Sequence, residues 1–113
     1  MDLQVSTARR GSFAVVTVAG DVDLDTADSL SDEAVAATRD ESPNLVIDLG
    51  GVTFLDSSGL KVLVATNKRT EEAGGSMSLV AVPPGVMRVL TVTALDKVFS
   101  IYDSVDDVVR SDP

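Results

Sequence analysis

A nearly continuous apolar run, Leu45, Val46, Ile47, Asp48 and Leu49, constrains the fold of this chain more than any other feature. The run has the length of a strand, and it lacks the strict alternation of apolar and polar residues that a strand with one wet face shows. Such a strand needs cover on both faces, which parallel sheets with crossover helices provide. The sequence therefore predicts an α/β fold with a buried central strand.

The residues before this run predict a hairpin and a helix. Residues 3–8 and 13–19 are rich in β-formers, and Arg9, Arg10, Gly11 and Ser12 between them predict the turn. Gly20 is expected to end the second strand. Apolar residues at three- and four-residue spacing predict an amphipathic helix over 26–39, capped by Asp25 or Thr26.

The residues after the run predict a helix, so that strands and helices alternate along the chain. A short loop is predicted after Gly50 and Gly51, leading to Asp56, Ser57 and Ser58. A helix then reaches about Ala73, where Gly74 and Gly75 end it. The predicted buried face of this helix consists of Leu60, Leu63, Val64 and Asn67.

Two more strands and two more helices complete the predicted fold. Strands are expected at 77–82 and 98–101, a helix with Pro84 in its first turn lies between them, and Asp103 or Ser104 caps a short final helix. The order is ββαβαβαβα, which predicts one domain over residues 1–113 with crossover helices packed on a mixed β-sheet.

Composition excludes several kinds of function. The chain has 113 residues, with no Cys, no His and a formal charge of −9 from 18 acidic and 9 basic side chains. Thiolate and imidazole metal sites and a His-based catalytic triad are therefore excluded, and neither a metal nor a cofactor is expected. The negative charge disfavours binding to nucleic acid or anionic membranes. No secretory signal is recognisable, and a cytoplasmic protein is expected.

Six of the acidic residues fall within 13 positions that contain no basic residue: Asp21, Asp23, Asp25, Asp28, Asp32 and Glu33. One interpretation is a solvated loop and helix start, where carboxylates complement the helix dipole. The other is a docking face for a basic partner. The sequence alone leaves both open.

The segment from Val52 to Leu60 joins the central strand to a helix, and it is the place where chemistry is expected. Open α/β sheets bind ligands at the carboxyl ends of their strands. Asp56, Ser57 or Ser58 can cap the helix through its first amides. Ser58 and Lys61 also spell S-x-x-K, a serine-hydrolase motif, but the accompanying S-D-N and K-T-G signatures are missing, so an enzyme is not expected.

The chain resembles the STAS family, and within it the bacterial anti-sigma factor antagonists, over about residues 3–110. The resemblance rests on Gly20 to Asp23, on the strand 45–49, on the run from Phe54 to Leu60 and on the strand before Pro83. Its strongest element is the D-S-S-G-L sequence that begins at Asp56. Lys61 departs from the family pattern, because close members often carry glycine there, and Asp21 stands for a more usual Glu.

The resemblance implies a regulator that binds an anti-sigma factor and so frees a sigma factor for transcription. The anti-sigma factor would be a GHKL-type serine kinase that phosphorylates Ser57, and a PP2C-type phosphatase would remove the phosphate. Asp21, Asp23, Asp56, Ser58 and Gly59 would form the partner-binding face. The alternative is a STAS-like domain that binds a nucleotide or another small anion at the helix start, or that serves as a subunit of a larger signalling complex.

Overall fold

A computed structural model describes residues 2–38 and 44–111 of the chain. Their elements follow the predicted order and include a 3-10 turn that the sequence pattern did not predict. The elements are β1 (Leu3–Arg10), β2 (Phe13–Val22), α1 (Ala27–Thr38), β3 (Asn44–Leu55), α2 (Ser57–Glu72), β4 (Ser76–Val80), α3 (Pro84–Val92), the 3-10 turn (Leu95–Lys97), β5 (Ser100–Tyr102) and α4 (Val105–Ser111).

The five strands form one mixed sheet in the order β1-β2-β3-β4-β5. β1 pairs with β2 in antiparallel fashion, and the remaining pairs are parallel. The parallel connections bring the carboxyl ends of β2, β3 and β4 to the same edge of the sheet. The fold class expected from the sequence is therefore confirmed.

The central strand β3 is buried on both faces, as its apolar run predicts. Leu45 and Ile47 pack with apolar residues of α1, α2 and α3 on one face of the sheet. Val46 packs with Val108 of α4 on the other face. A side-chain contact also links α4 to β1: the guanidinium of Arg10 in β1 donates a hydrogen bond to the carboxylate of Asp106 in α4.

The loop predicted after Gly50 and Gly51 is wrong, because β3 continues through both glycines to Leu55. The pairing of β2 with β3 shifts twice, between Thr17 and Ala19 and between Gly20 and Asp21, so β3 carries extra residues opposite β2. A Cβ on Gly51 would lie 2.8 Å from the Cβ of Ala19. These glycines therefore permit a bulged close approach of two strands, not a turn.

Gly20 does not end β2, which continues to Val22. Its φ of +111° is unfavourable for other residues, and a Cβ there would lie 2.2 Å from the carbonyl oxygen of Asp2. Similarly, Arg9 and Arg10 belong to β1, so the hairpin turn contains Gly11 and Ser12 alone. Both strands are longer than predicted, because cross-strand pairing continues past the residues that were expected to end them.

The predicted buried face of α2 is partly wrong. Leu63 is buried as expected, but Val64 is exposed. The buried positions are Gly59, Leu63, Thr66 and Thr70. The smaller errors concern element ends: β4 stops at Val80, β5 begins at Ser100, and α1 is described to Thr38, with Arg39 outside the described residues.

Candidate partner-docking site

Asp56 is the residue that caps α2. Its Oδ1 accepts hydrogen bonds from the backbone amides of Ser58 at 2.8 Å and Gly59 at 3.4 Å. Its backbone is extended, with φ −101° and ψ −168°, as is usual for an N-cap residue. Of the three capping residues that the sequence allowed, Asp56 is confirmed, and Ser57 and Ser58 are wrong.

Ser57 is the first residue of α2, and its side chain is exposed. Among the described residues, no hydrogen-bond partner of its hydroxyl is found, and Asp56 is the side chain that accepts from the amides at this helix end. Ser58 is half-buried. Of the two neighbouring serines, Ser57 is thus the more exposed to an approaching molecule.

Gly59 brings the start of α2 against the sheet. The residue is buried, and a Cβ on it would lie 2.8 Å from Val22 Cγ1 and 2.9 Å from Leu55 Cγ. No real Cβ approaches carbon atoms so closely without displacement of one partner. Gly59 therefore sets the distance between α2 and the sheet edge, and with it the position of Ser57.

The turn after β2 is built around Asp23 and Thr26. Asp23 Oδ1 accepts from the amides of Asp25 at 3.0 Å and Thr26 at 3.1 Å. The Thr26 hydroxyl donates to the carbonyl of Asp21 at 2.7 Å and accepts from the amide of Asp23 at 2.9 Å. The side chain that accepts from the two amides just before α1 is therefore Asp23, and not Asp25 or Thr26 as predicted.

Asp21 lies at the end of β2, opposite Phe54 of β3. Its carboxylate accepts a hydrogen bond from the hydroxyl of Thr53 at 2.6 Å. Asp21 and Asp23 are each half-buried and each held by specific bonds. They are fixed parts of the sheet edge, and their charges are presented in a defined position.

The structure brings the two predicted segments together. The amide of Asp56 donates to the carbonyl of Val22 at 3.1 Å, and Val22 pairs with Leu55. Asp21 and Asp23 therefore lie beside the segment that holds Asp56, Ser57, Ser58 and Gly59. This juxtaposition follows from the parallel pairing of β2 and β3, whose carboxyl ends meet at one edge.

The acidic run divides into bonded and exposed members. Glu33 accepts a hydrogen bond from Thr7 of β1, which turns it away from the carboxyl edge of the sheet. Asp25, Asp28 and Asp32 are exposed. Both interpretations of the acidic run therefore hold for part of it. Some of its carboxylates are solvated at the start of α1, and others give a negative charge to the face beside Ser57.

Three large apolar residues in the turn after β2, in β3 and in α2 are exposed, which the sequence pattern did not predict. Leu24, between Asp23 and Asp25, is 79% exposed; Phe54 is 50% exposed and Val64 is 41% exposed. Leu24 was detectable as a lone apolar residue in an acidic turn. Phe54 and Val64 carry no such signal, because apolar residues in a strand and on a helix are ordinarily expected to be buried.

The described residues form no metal site, and the groove beside this edge is lined mainly by apolar residues. Within 2–38 and 44–111, no three His, Cys, Asp or Glu side chains are grouped so that they could hold a metal ion. A groove of about 210 Å³ runs between the end of β3 and α3, lined by Phe54, Pro83, Val86, Val89 and their neighbours. No helix in the described part of the chain is long and apolar enough to span a membrane.

Comparison with known proteins agrees with this geometry. The STAS domain matches residues 4–108. The chain is 35% identical over 107 residues to the anti-sigma-F factor antagonist RsfB of Mycobacterium tuberculosis, covering 93% of this chain and 85% of that protein. It is 33% identical over 107 residues to an anti-sigma F factor antagonist of Paenibacillus polymyxa, covering 92% and 90% of the two chains.

A solved structure shows the same fold at similar identity. The crystal structure of an anti-sigma factor antagonist from Mycobacterium paratuberculosis superimposes with a TM-score of 0.87 at 35% identity, covering 97% of this chain and 93% of that chain. The mixed sheet, the capped start of α2 and these matches define a small α/β domain of the STAS type. The chain belongs to the STAS domain family.

Proposed function

We propose that this protein is an anti-sigma factor antagonist. In its unmodified form it binds an anti-sigma factor, so that a sigma factor is released for transcription, and phosphorylation of Ser57 abolishes that binding. Relatives that cover more than nine-tenths of the chain at 33–35% identity are named for this activity. The proposal implies a cytoplasmic protein, because bacterial transcription takes place there.

The observation that carries the proposal is the position of Ser57. Its side chain is exposed at the start of α2, while Asp56 makes the capping bonds that hold the helix end. A kinase can therefore transfer the γ-phosphoryl group of ATP to Ser57 Oγ, releasing ADP and the hydroxyl proton, without removing a bond that stabilises the fold. A phosphate at a helix N-terminus also meets the favourable end of the helix dipole.

The effect of the phosphate is expected at the interface. It adds about −1.5 to −2 charges at pH 7. If a partner places a carboxylate within a few ångströms of Ser57, repulsion costs on the order of a few kcal/mol at intermediate dielectric, and each 1.4 kcal/mol is about tenfold in affinity. One phosphate on Ser57 is therefore sufficient to release most of the chain from the anti-sigma factor.

The face around Ser57 defines the chemistry of the partner. Asp21, Asp23 and the exposed Asp25 give it a negative charge, and Leu24 and Phe54 add apolar area. A partner surface with basic residues around an apolar contact fits both features. We infer that this surface belongs to an anti-sigma factor that is itself a GHKL-type serine kinase, and that a PP2C-type phosphatase returns Ser57 to its unmodified state.

In this proposal the chain is a substrate and a binding module, not an enzyme. It has neither His nor Cys to act as a base or nucleophile. In the S-x-x-K sequence Lys61 is exposed, so it lacks the buried setting of a general-base lysine. The alternative of nucleotide or small-anion binding at the start of α2 gains no support, because Asp21, Asp23 and Asp56 place carboxylates beside that helix end.

The proposal is tested by affinity capture from the source cell with the wild type and with Ser57→Asp as bait. We expect the wild type to retain a protein kinase that also binds a sigma factor, and Ser57→Asp to lose it. Ser76→Asp is the matched control, since exposed Ser76 begins β4 at the opposite edge of the sheet. Equal capture of the kinase by wild type and Ser57→Asp contradicts the proposal.

A further inference from the structure

Lys61 lies one helical turn after Ser57 on the exposed side of α2. Both side chains are exposed, and both residues lie within the helix Ser57–Glu72. Side chains at positions i and i+4 of a helix are neighbours, with Cβ atoms about 5–6 Å apart. The ammonium group of Lys61, at the end of a flexible stem, can therefore reach a group attached to Ser57 Oγ.

Carboxylates stand close to Ser57 at this edge. Asp56 precedes Ser57, and Asp21 and Asp23 stand at the end of β2, beside Asp56. No Lys or Arg occurs between positions 40 and 60 of the sequence. Within the described ranges Lys61 takes part in neither of the two ion pairs, which join Arg10 to Asp106 and Arg110 to Asp107.

We propose that Lys61 is the intramolecular counterion of a phosphate on Ser57. This inference rests on the proposed function, because it assumes that Ser57 is the modified residue. Ammonium and phosphate one turn apart form a charge-assisted hydrogen bond, which is shorter and stronger than a neutral one. Phosphorylation then changes the face around Ser57 in two ways. It adds the negative charge of the phosphate, and it pairs the ammonium group of Lys61, which in the unmodified chain is available to a carboxylate of the partner.

The arrangement makes Lys61 a positioning residue for the phosphate. An adjacent cation favours the dianionic form of the phosphate, so it lowers the pH at which the second proton dissociates. This property belongs to the phosphorylated chain alone and requires no partner. It therefore separates the role of Lys61 from the anti-sigma binding on which the proposed function depends.

The test is a phosphorus NMR pH titration of the full chain carrying phosphoserine at position 57, introduced during translation. The variants are wild type, Lys61→Gln, Lys61→Arg and Lys68→Gln. Lys68 is exposed on the same helix, but it lies 11 residues from Ser57, about 16 Å along the helix axis at 1.5 Å per residue. That distance exceeds the Debye length of about 8 Å at physiological ionic strength.

We expect the phosphate to titrate about 0.3 pH unit higher in Lys61→Gln than in wild type, while Lys61→Arg and Lys68→Gln stay close to wild type. An unchanged midpoint in Lys61→Gln overturns the inference, and so does an equal rise in Lys68→Gln, which would indicate a general charge effect. The proposed function fails by a different result: equal affinity of the phosphorylated and unmodified chains for the anti-sigma factor.

Discussion

At the scale of single residues, the position of Ser57 at the start of α2 depends on a glycine, Gly59. Gly59 lies where a Cβ would contact Val22 and Leu55 at less than 3 Å. Leu55 and Val22 are themselves buried in the core, so neither can move aside freely. A larger residue at this position therefore requires Val22, Leu55 or α2 itself to shift.

Gly59→Ala is expected to destabilise the protein by about 1–3 kcal/mol, because the added methyl group overpacks a filled site. Urea unfolding followed by circular dichroism measures the change. Gly85→Ala is the matched control, since Gly85 also lies in the first turn of a helix but has nothing within 4 Å of its Cβ position. Equal stability of Gly59→Ala and Gly85→Ala would contradict the role assigned to Gly59.

Also at the residue scale, Leu24 is expected to contribute to partner binding and not to stability. Leu24→Ser removes an exposed apolar side chain beside Asp23, so anti-sigma affinity should fall about tenfold or more while thermal unfolding is unchanged. Val92→Ser is the control: Val92 is 80% exposed but ends α3, which runs away from the carboxyl edge of the sheet. The measurement is calorimetric titration, and parallel losses in both variants would refute this assignment.

At the scale of elements, the start of α2 and the contact between β1 and α4 can be tested separately. Asp56 supplies the only side-chain cap that the described residues show at the start of α2. Asp56→Ala is expected to cost about 0.5–2 kcal/mol of unfolding free energy, whereas Asp56→Asn keeps an acceptor and most of the stability. Chemical denaturation distinguishes them, and equal losses would indicate that the carboxylate acts through its charge alone.

The contact between β1 and α4 predicts a pH effect. The hydrogen bond from Arg10, and then the Arg10 charge, lower the pKa of Asp106 below its ordinary value. A carboxyl whose folded-state pKa is depressed contributes stability above its unfolded pKa, and this is lost as the pH falls through the folded value. Arg10→Gln should therefore raise the Asp106 pKa in an NMR titration, and Arg9→Gln should not. An unchanged Asp106 midpoint in Arg10→Gln would show that the pair does not persist in solution.

The sequence predicts those features of the elements that depend on local pattern. The apolar run of β3 predicted burial on both faces, and the residues around Asp56 predicted a capped helix start. The bulged passage through Gly50 and Gly51 was not predictable in this way, because it depends on the pairing with β2. The rotation of α2 that exposes Val64 and buries Thr66 likewise depends on the contact of Gly59 with the sheet.

At the scale of the whole molecule, the fold explains why residues far apart in sequence form one face. The acidic turn after β2 and the segment Asp56 to Gly59 are brought together by parallel pairing. The negative charge of the chain, which from composition alone argues only against nucleic acid, is thereby concentrated in part beside an exposed serine. A partner that approaches this face meets charge, apolar area and the proposed phosphorylation site together.

The affinity of the purified cognate anti-sigma factor for the unmodified and the Ser57-phosphorylated chain tests this account most directly. Calorimetric titration should show at least tenfold weaker binding of the phosphorylated chain, while its thermal unfolding stays close to that of the unmodified protein. Equal affinities of the two forms would contradict the account.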